Sequence, residues 1–284
     1  MLLSAASCVS LFTHGPPAVT PEVVVHGAAV MAEAEAPRPL RVMTLNLAHG
    51  RSDGPNQLLI STDDIEANLL EVASLLRRES PDLVALQEAD GPSSWSGRFS
   101  HVDRLAADAG LARAVRAENV RGLGLSYGAA LIGQVDLRDP LAVTFDPSWP
   151  TFSKGFVVAA VPWPGRPQIT VDVVSVHLDF ALPSRRRAQL DQLAEVLAGR
   201  GRPVVVMGDL NCDWNGDEGS VREFAQRLGL QAFKPEEEIA TFPSMGHRID
   251  WILLSEHLRF REHVVLPDTV SDHRAVLAVI DLAG

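Results

Sequence analysis

Cysteine is scarce in this 284-residue chain: Cys8 and Cys212 are the two present, too few for a disulfide framework. Cys212 therefore reads as a small buried thiol rather than a nucleophile. No apolar run is long enough to span a bilayer as a helix. Met1 to Phe12 is mildly apolar but lacks a basic start and soon meets His14-Gly-Pro-Pro17, which makes a poor secretory signal. Ala5-Ala6-Ser7-Cys8 fails as a lipoprotein signal for the same reason. A cytoplasmic location is the expectation. Basic charge is also short: 25 Lys and Arg face 36 Asp and Glu, a net −11. That balance weighs against a long, tight nucleic-acid interface, because affinity for polyphosphate rests on neutralising cations. It leaves room for a local basic patch around a metal. Internal repeats are absent, and no linker divides residues 40–284. Hydrophobic residues make up 46% of the chain, enough for a core and too many for a disordered polymer.

Residues 1–39 are rich in Ala, Pro and Glu. They are expected to be a disordered N-terminal extension, or translation begun upstream of Met31. The folded domain is expected over 40–284, a length that suits one large domain.

Within that domain, Leu40–Asn46 alternates apolar and polar residues and predicts a first strand. Asp63 with Glu66 resembles a capping box, and Ile65, Leu69, Val72, Ala73 and Leu76 form a buried helical face. Asp82–Glu88 is a second strand. A loop over 89–121 holds a helix at Val102–Ala109, closed by Gly110. Residues 127–132, 141–145, 156–161 and 169–178 are candidate strands. Ser184 is expected to cap a helix with Leu190, Leu193, Ala194 and Leu197 inward. Val204–Met207 is a β-branched run entered through Pro203 and left through Gly208, the pattern of a strand buried on both faces. Ser220 and Glu223 form a second expected capping box. Residues 249–254, 260–265 and 274–280 complete the strands. Many strands, few helices and hairpin-like pairs predict two packed sheets with helices outside rather than one doubly wound parallel sheet.

One event repeats along the chain: an apolar strand ends in a polar group suited to metal or phosphate chemistry. Asn46, Glu88, His177, Asp209 with Asn211, and Asp272 with His273 are the instances. Each alone is an ordinary turn or cap residue. Asp250, inside the apolar strand Ile249-Asp-Trp-Ile, must be paired or hydrogen-bonded to be tolerated there. So many coincidences in one chain favour a shared site.

In order, Thr44-Leu-Asn46, Gln87-Glu88, Ser175-Val-His-Leu-Asp179, Gly208-Asp-Leu-Asn211, Arg248-Ile-Asp-Trp251 and Ser271-Asp-His273 resemble the motif series of the endonuclease/exonuclease/phosphatase superfamily. The resemblance covers residues 40–284. Ala129 stands where many relatives carry Asn, and Gly133 where they usually carry Ser. The resemblance implies a DNase I-like α/β (α+β) fold, a four-layer α/β/β/α sandwich of two mixed sheets. It implies a Mg²⁺ or Mn²⁺ ion on Glu88, Asn46 and Asp272. It implies that Asp209 and Asn211 hold the attacking water and a phosphate oxygen. It implies that Asp250 orients His273 and keeps it basic, and that His177 donates to the phosphoryl oxygens. The base is either His273 or Asp209.

The remaining features have bland defaults. His14, His26, His49, His101, His247, His257 and His263 read as surface or loop residues, and Lys154 as solvated. Arg185, Arg186 and Arg187 read as a solvated face, with Arg185 the candidate for a second phosphate. Trp95 and Trp214 lie in loops near the motifs. Core packing is their default, and stacking on a base, sugar or headgroup is the alternative, with Trp214 the candidate. The expected partner is a phosphate-ester substrate met by a monomer. The acidic balance favours a small or lipid-linked mono- or diester. A DNA nuclease is the alternative. A non-catalytic binding module is a third reading, and the presence of Glu88, Asp209, Asp250 and His273 argues against it. The loops 89–121 and 213–220 would set specificity, and nothing in them names a molecule.

Overall fold

In the computed structural model the described residues are 18–19, 22–25, 36–54, 56–146, 151–216, 219–237 and 239–283. In chain order the first elements are β1 (Ala18–Val19), β2 (Glu22–Val25), β3 (Leu40–Asn46), α1 (Thr62–Glu79), β4 (Leu83–Asp90) and α2 (His101–Ala109). Next come β5 (Arg113–Arg116), β6 (Val120–Gly122), β7 (Leu125–Gly133), β8 (Arg138–Thr144), β9 (Gly155–Trp163) and β10 (Arg166–His177). The last are α3 (Pro183–Arg200), β11 (Val204–Asp209), α4 (Ser220–Arg227), β12 (Leu230–Ala232), β13 (Asp250–Ser255), β14 (Leu258–Val265) and β15 (Val276–Leu282).

One sheet runs β1-β8-β9-β10-β11-β13-β12; the other runs β14-β15-β3-β4-β7-β5-β2, with β6 paired to β7. Both are mixed: β3 with β4 and β10 with β11 are parallel, and the other pairs are antiparallel. Strand alternation explains the layers. Val42, Leu83 and Ala85 of one sheet meet Val173, Val205 and Met207 of the other in a central core. The opposite faces, through Met43, Leu45 and Val84, pack on α1 and α2, while Val174 and Val206 pack on α3 and α4. The architecture is the four-layer sandwich the sequence predicts.

Several local expectations differ in detail. Ser61, not Asp63, caps α1, its side chain accepting from the Asp64 N–H at 3.1 Å. α3 starts at Pro183 with Leu182 at its cap, so Ser184 lies inside the first turn; proline presets the helical φ one residue earlier. α4 is capped by Gly219 with no side-chain bond, so the Ser220/Glu223 box does not form. The 89–121 stretch contributes β5 and part of β6 besides its helix. Inside 1–39, Ala18–Val19 pairs with β8 and Glu22–Val25 with β5 as edge strands.

The sheets are tied by polar groups just beneath one rim. Gln87 Nε2 donates to Ser175 Oγ at 3.0 Å, and that hydroxyl donates to the Leu86 carbonyl at 2.8 Å. Gly208 leaves no room for a side chain beside β10: a Cβ there would lie 1.9 Å from the Val176 carbonyl oxygen, at φ +147°.

Candidate active site

The inward-facing series of four strands all run out at that rim. Asn46 follows Leu40, Val42 and Thr44; His177 follows Val171, Val173 and Ser175; Asp209 follows Val205 and Met207; Asp250 precedes Ile252 and Leu254. Strand register then sets neighbours: His177 lies opposite Asp209 in the parallel pair, and Asp209 opposite Asp250 in the antiparallel pair. Period-2 alternation thus delivers four polar side chains to the end of the core. A cleft of about 680 Å³ opens there, lined by Asn46, Glu88, His177, Asp209, Asn211 and His273 among others.

Glu88 arrives by a different device. β4 is bulged against β7 between Leu86 and Ala89, and Glu88 has a left-handed backbone, φ 48°. A bulge re-aims its side chain at the cost of local strain. The carboxylate lies among basic groups: His49 Nε2 at 3.3 Å, Arg51 at 3.9 Å, Lys154 Nζ at 3.9 Å and His177 Nε2 at 4.0 Å. Burial opposes its ionisation, yet His49, Lys154, His177 and Arg51 together hold it far below the usual carboxylate range.

His177 is pushed well below its ordinary value by burial and then by Lys154. Its Nδ1 sits 3.5 Å from Lys154 Nζ. An ammonium can only donate, so Nδ1 accepts and Nε2 carries the proton. That Nε2–H faces Asp209 Oδ2 at 3.4 Å. Asp209 also accepts from Asn46 Nδ2 at 3.0 Å and from the Asn211 N–H at 3.0 Å. Burial moves the Asp209 carboxyl up, Asp250 adds to that, and His273 opposes it. His273 Nδ1 lies 2.9 Å from Asp250 Oδ2, and its Nε2 3.9 Å from Asp209 Oδ2. Burial alone would lower His273; Asp250 and then Asp209 overcome it and raise the imidazole. Phe242 covers the ring at 4.8 Å.

Asn211 combines a place in the cleft with a turn-closing role. It lines the cleft, and it also closes a turn, its Nδ2 donating to the Leu178 carbonyl at 3.0 Å with φ 49°. Asp272 faces the cleft and pairs with Arg51, whose guanidinium is held by the Ala48 and Gly54 carbonyls.

Glu88 and Asp272 are thus two carboxylates close enough to share one cation, Arg51. The Asn46 carboxamide lines the same cleft, its Oδ1 accepting from the Ala48 N–H at 2.9 Å, so the cleft contains hard oxygen donors of the kind that Mg²⁺ or Mn²⁺ prefers. Asp209, Asp250 and His273 also place donor atoms within 4.8 Å of one another. Within that group His273 Nδ1 contacts Asp250 Oδ2 and its Nε2 faces Asp209 Oδ2, an arrangement able to relay a proton.

Two candidates for substrate contact lie away from the cleft, and Lys154 and His101 are more buried than expected. Arg185 is exposed on α3 and does not line the cleft; its neighbour Arg186 is the one turned inward, donating to the Asp179 carbonyl at 2.8 Å. Trp214 packs on Trp251 at 5.6 Å against the α3/α4 core, which is its default reading rather than the stacking alternative. Lys154 is not a solvated group: it is 8% exposed and, with the loop residue His49, reaches Glu88. His101 is buried as well, against the Ser96 carbonyl. His247 does lie exposed at the cleft edge, while His14 and His26 fall outside the described residues.

The endonuclease/exonuclease/phosphatase family model matches residues 43–273, and the chain belongs to that family. No curated protein matches it. Among solved structures it is similar to an endonuclease/exonuclease/phosphatase from Beutenbergia cavernae, at 19% identity and TM-score 0.66, over 87% of this chain and 72% of that one. It is similar to the human Nocturnin catalytic domain, at 17% identity and TM-score 0.65, over 93% of this chain and 98% of that one. A mannosyl-6-phosphatase from Bacteroides thetaiotaomicron is 15% identical with TM-score 0.62, over 86% of this chain and all (100%) of that one. These likenesses establish the fold. Family membership supports a hydrolase of phosphate esters. No helix among the described residues is long and apolar enough to cross a membrane.

Proposed function

We propose that the chain is a divalent-metal-dependent phosphoesterase that cleaves a small or lipid-linked phosphomono- or diester by in-line attack of water. The observation that carries this reading is the meeting of Glu88, Asp209, His177 and the Asp250–His273 pair in one cleft. Glu88, Asn46 and Asp272 would hold Mg²⁺ or Mn²⁺. The ion, when bound, supplies Lewis acidity and neutralises phosphate charge.

The residues divide the remaining work. Asp209, raised by burial, suits a base that takes the proton of the attacking water near neutral pH. His273, held protonated by Asp250, donates to the phosphoryl group as charge develops, as does His177 Nε2–H. Lys154 adds a fixed positive charge behind His177. The cleft mouth carries Phe180 and Met245, 62% and 66% exposed, with Phe242 behind them. Such an apolar lip suits a substrate with an apolar or lipid-linked portion. The likeness to a protein named mannosyl-6-phosphatase is compatible with a monoester.

A substrate panel tests the reading: bis-p-nitrophenyl phosphate, p-nitrophenyl phosphate, sphingomyelin, inositol phosphates and abasic duplex DNA, each with Mg²⁺, Mn²⁺ or EDTA. Metal-stimulated turnover of the small or lipid esters, abolished by EDTA, is expected. Turnover confined to DNA would replace this reading with a nuclease, and turnover indifferent to EDTA would end the metal-dependent scheme.

A further inference from the structure

A second Asp–His pair flanks Glu88, and the hydrolytic roles above leave it unused. His49 Nδ1 lies 2.6 Å from Asp90 Oδ1, and His49 Nε2 lies 3.3 Å from Glu88 Oε2. Asp90 is fully buried and fixed, its other oxygen accepting from Trp95 Nε1 at 2.8 Å and from Ser96 Oγ. The imidazole is held between Trp95, at 4.9 Å between ring centroids, and the edge of Tyr127 at 4.7 Å. The loop after β3 bends sharply to place it, with Ala48 and His49 both left-handed at φ 48° and 54°. This is a backbone strained twice to aim one ring.

With Nδ1–H donated to Asp90, Nε2 points at Glu88 Oε2. Adjacent donors on one octahedral ion with bonds of about 2.1 Å are separated by roughly 3 Å, close to the distance between these two atoms. A carboxylate on the far ring nitrogen is the usual support of a metal-binding imidazole, fixing tautomer and orientation.

We propose that His49 Nε2 is an additional ligand of the ion held by Glu88, and that Asp90 is the positioning residue that aims it. The inference rests on the metal-dependent reading above. An ion bound this way replaces the proton that Nε2 otherwise shares with Glu88, since a ligating imidazole is neutral. A nitrogen ligand among carboxylates also shifts preference from Mg²⁺ toward Mn²⁺ and later first-row ions.

Pulsed EPR on the full chain loaded with one equivalent of Mn²⁺ tests the contact directly, alongside calorimetric titration with Mn²⁺ and with Mg²⁺. Wild-type is expected to show ¹⁴N modulation from a bound imidazole, kept in His177→Ala and lost in His49→Ala. Mn²⁺ affinity is expected to fall about 10- to 100-fold in His49→Ala and in Asp90→Asn, with a smaller loss for Mg²⁺. Asp90→Asn keeps the ring and the bulk, so it carries the test where His49→Ala fails to give a wild-type melt. Stoichiometric Mn²⁺ binding without ¹⁴N modulation, or with modulation that survives His49→Ala, overturns the inference and leaves the phosphoesterase standing. No saturable Mn²⁺ binding, with turnover indifferent to EDTA, overturns both.

Discussion

Asn46, the last residue of β3, donates its Nδ2–H to Oδ2 of Asp209, the last residue of β11, at 3.0 Å. The bond crosses from one sheet to the other at the rim where the cleft opens. It also lowers a carboxyl that burial pushes up, so it helps set the protonation of the proposed base. Asn46→Ala is expected to cut kcat by about 10²-fold or more, as for loss of a preorganised donor. It should cost roughly 1–3 kcal/mol of stability, because a buried acceptor loses a partner. Asn46→Asp places a like charge beside Asp209 and should be worse for turnover. Steady-state kinetics with urea unfolding would decide the matter, and an Asn46→Ala enzyme with wild-type kcat would refute the role.

Lys154 enters the site from the turn before β9, with Nζ 3.5 Å from His177 Nδ1 and 3.9 Å from Glu88 Oε1. Its ammonium fixes which nitrogen of His177 carries the proton. Lys154→Met keeps the stem and removes the charge. The expected result is a kcat lower by roughly 10²- to 10³-fold, on the scale of a lost electrostatic donor. Lys154→Arg should recover part of the loss, since a guanidinium also donates to Nδ1. Equal kcat for Met and Arg variants would mean that the charge has no part in turnover.

The site's legibility in sequence follows how each residue reaches it. Asn46, His177, Asp209 and Asp250 sit at the ends of alternating apolar strands, a pattern that is local and visible. Their convergence follows from strand alternation and register. Glu88 was visible as a strand end, but its aim depends on a bulge and a left-handed backbone that nothing in Leu-Gln-Glu announces. His49 and Arg51 come from a loop, where no periodicity shows direction. Their nearness to Asn46 in Asn46-Leu-Ala-His-Gly-Arg51 was the available signal. Lys154 had none: it reaches the site because it precedes Gly155, which pairs with His177 across β9 and β10, a register no local pattern shows. Arg185 failed by one residue of helix phase, about 100° of rotation, which turns Arg186 inward instead.

Gly208 separates the apolar part of β11 from Asp209, and the neighbouring strand occupies the space a side chain would need. A Cβ would stand 1.9 Å from the Val176 carbonyl oxygen and 2.9 Å from the Val176 carbonyl carbon, both backbone. Neither can move without parting β10 from β11, where His177 and Asp209 are paired. Gly208→Ala is therefore expected to destabilise by about 3 kcal/mol or more, in the range of overpacking combined with backbone strain. Activity should fall with it, because the displaced strand ends carry both side chains. Urea unfolding measures the first effect, and a variant within about 0.5 kcal/mol of wild-type would show that the strands part easily.

On β14, His263 stacks on Phe233, with centroids 4.8 Å apart and planes 8° from parallel. Burial, with the nearby Arg248 guanidinium, pushes its imidazole down to about 4. The folded protein therefore keeps this ring neutral over a range where the unfolded chain, with an ordinary value near 6.5, binds a proton. Since the unfolded state binds more protons, this contribution to stability is complete above about pH 6.5. It is lost as pH falls toward about 4, and no further loss follows below that. His263→Phe removes the titration and keeps a ring on Phe233. The stability difference between variant and wild-type should shift in favour of the variant by on the order of 2 kcal/mol between about pH 7.5 and pH 4, partial exposure having been allowed for. Urea unfolding of both proteins across that range gives the comparison, in which the shared titration of the cleft carboxylates cancels. Parallel pH profiles would mean that His263 takes up its proton in the folded state as readily as in the unfolded chain.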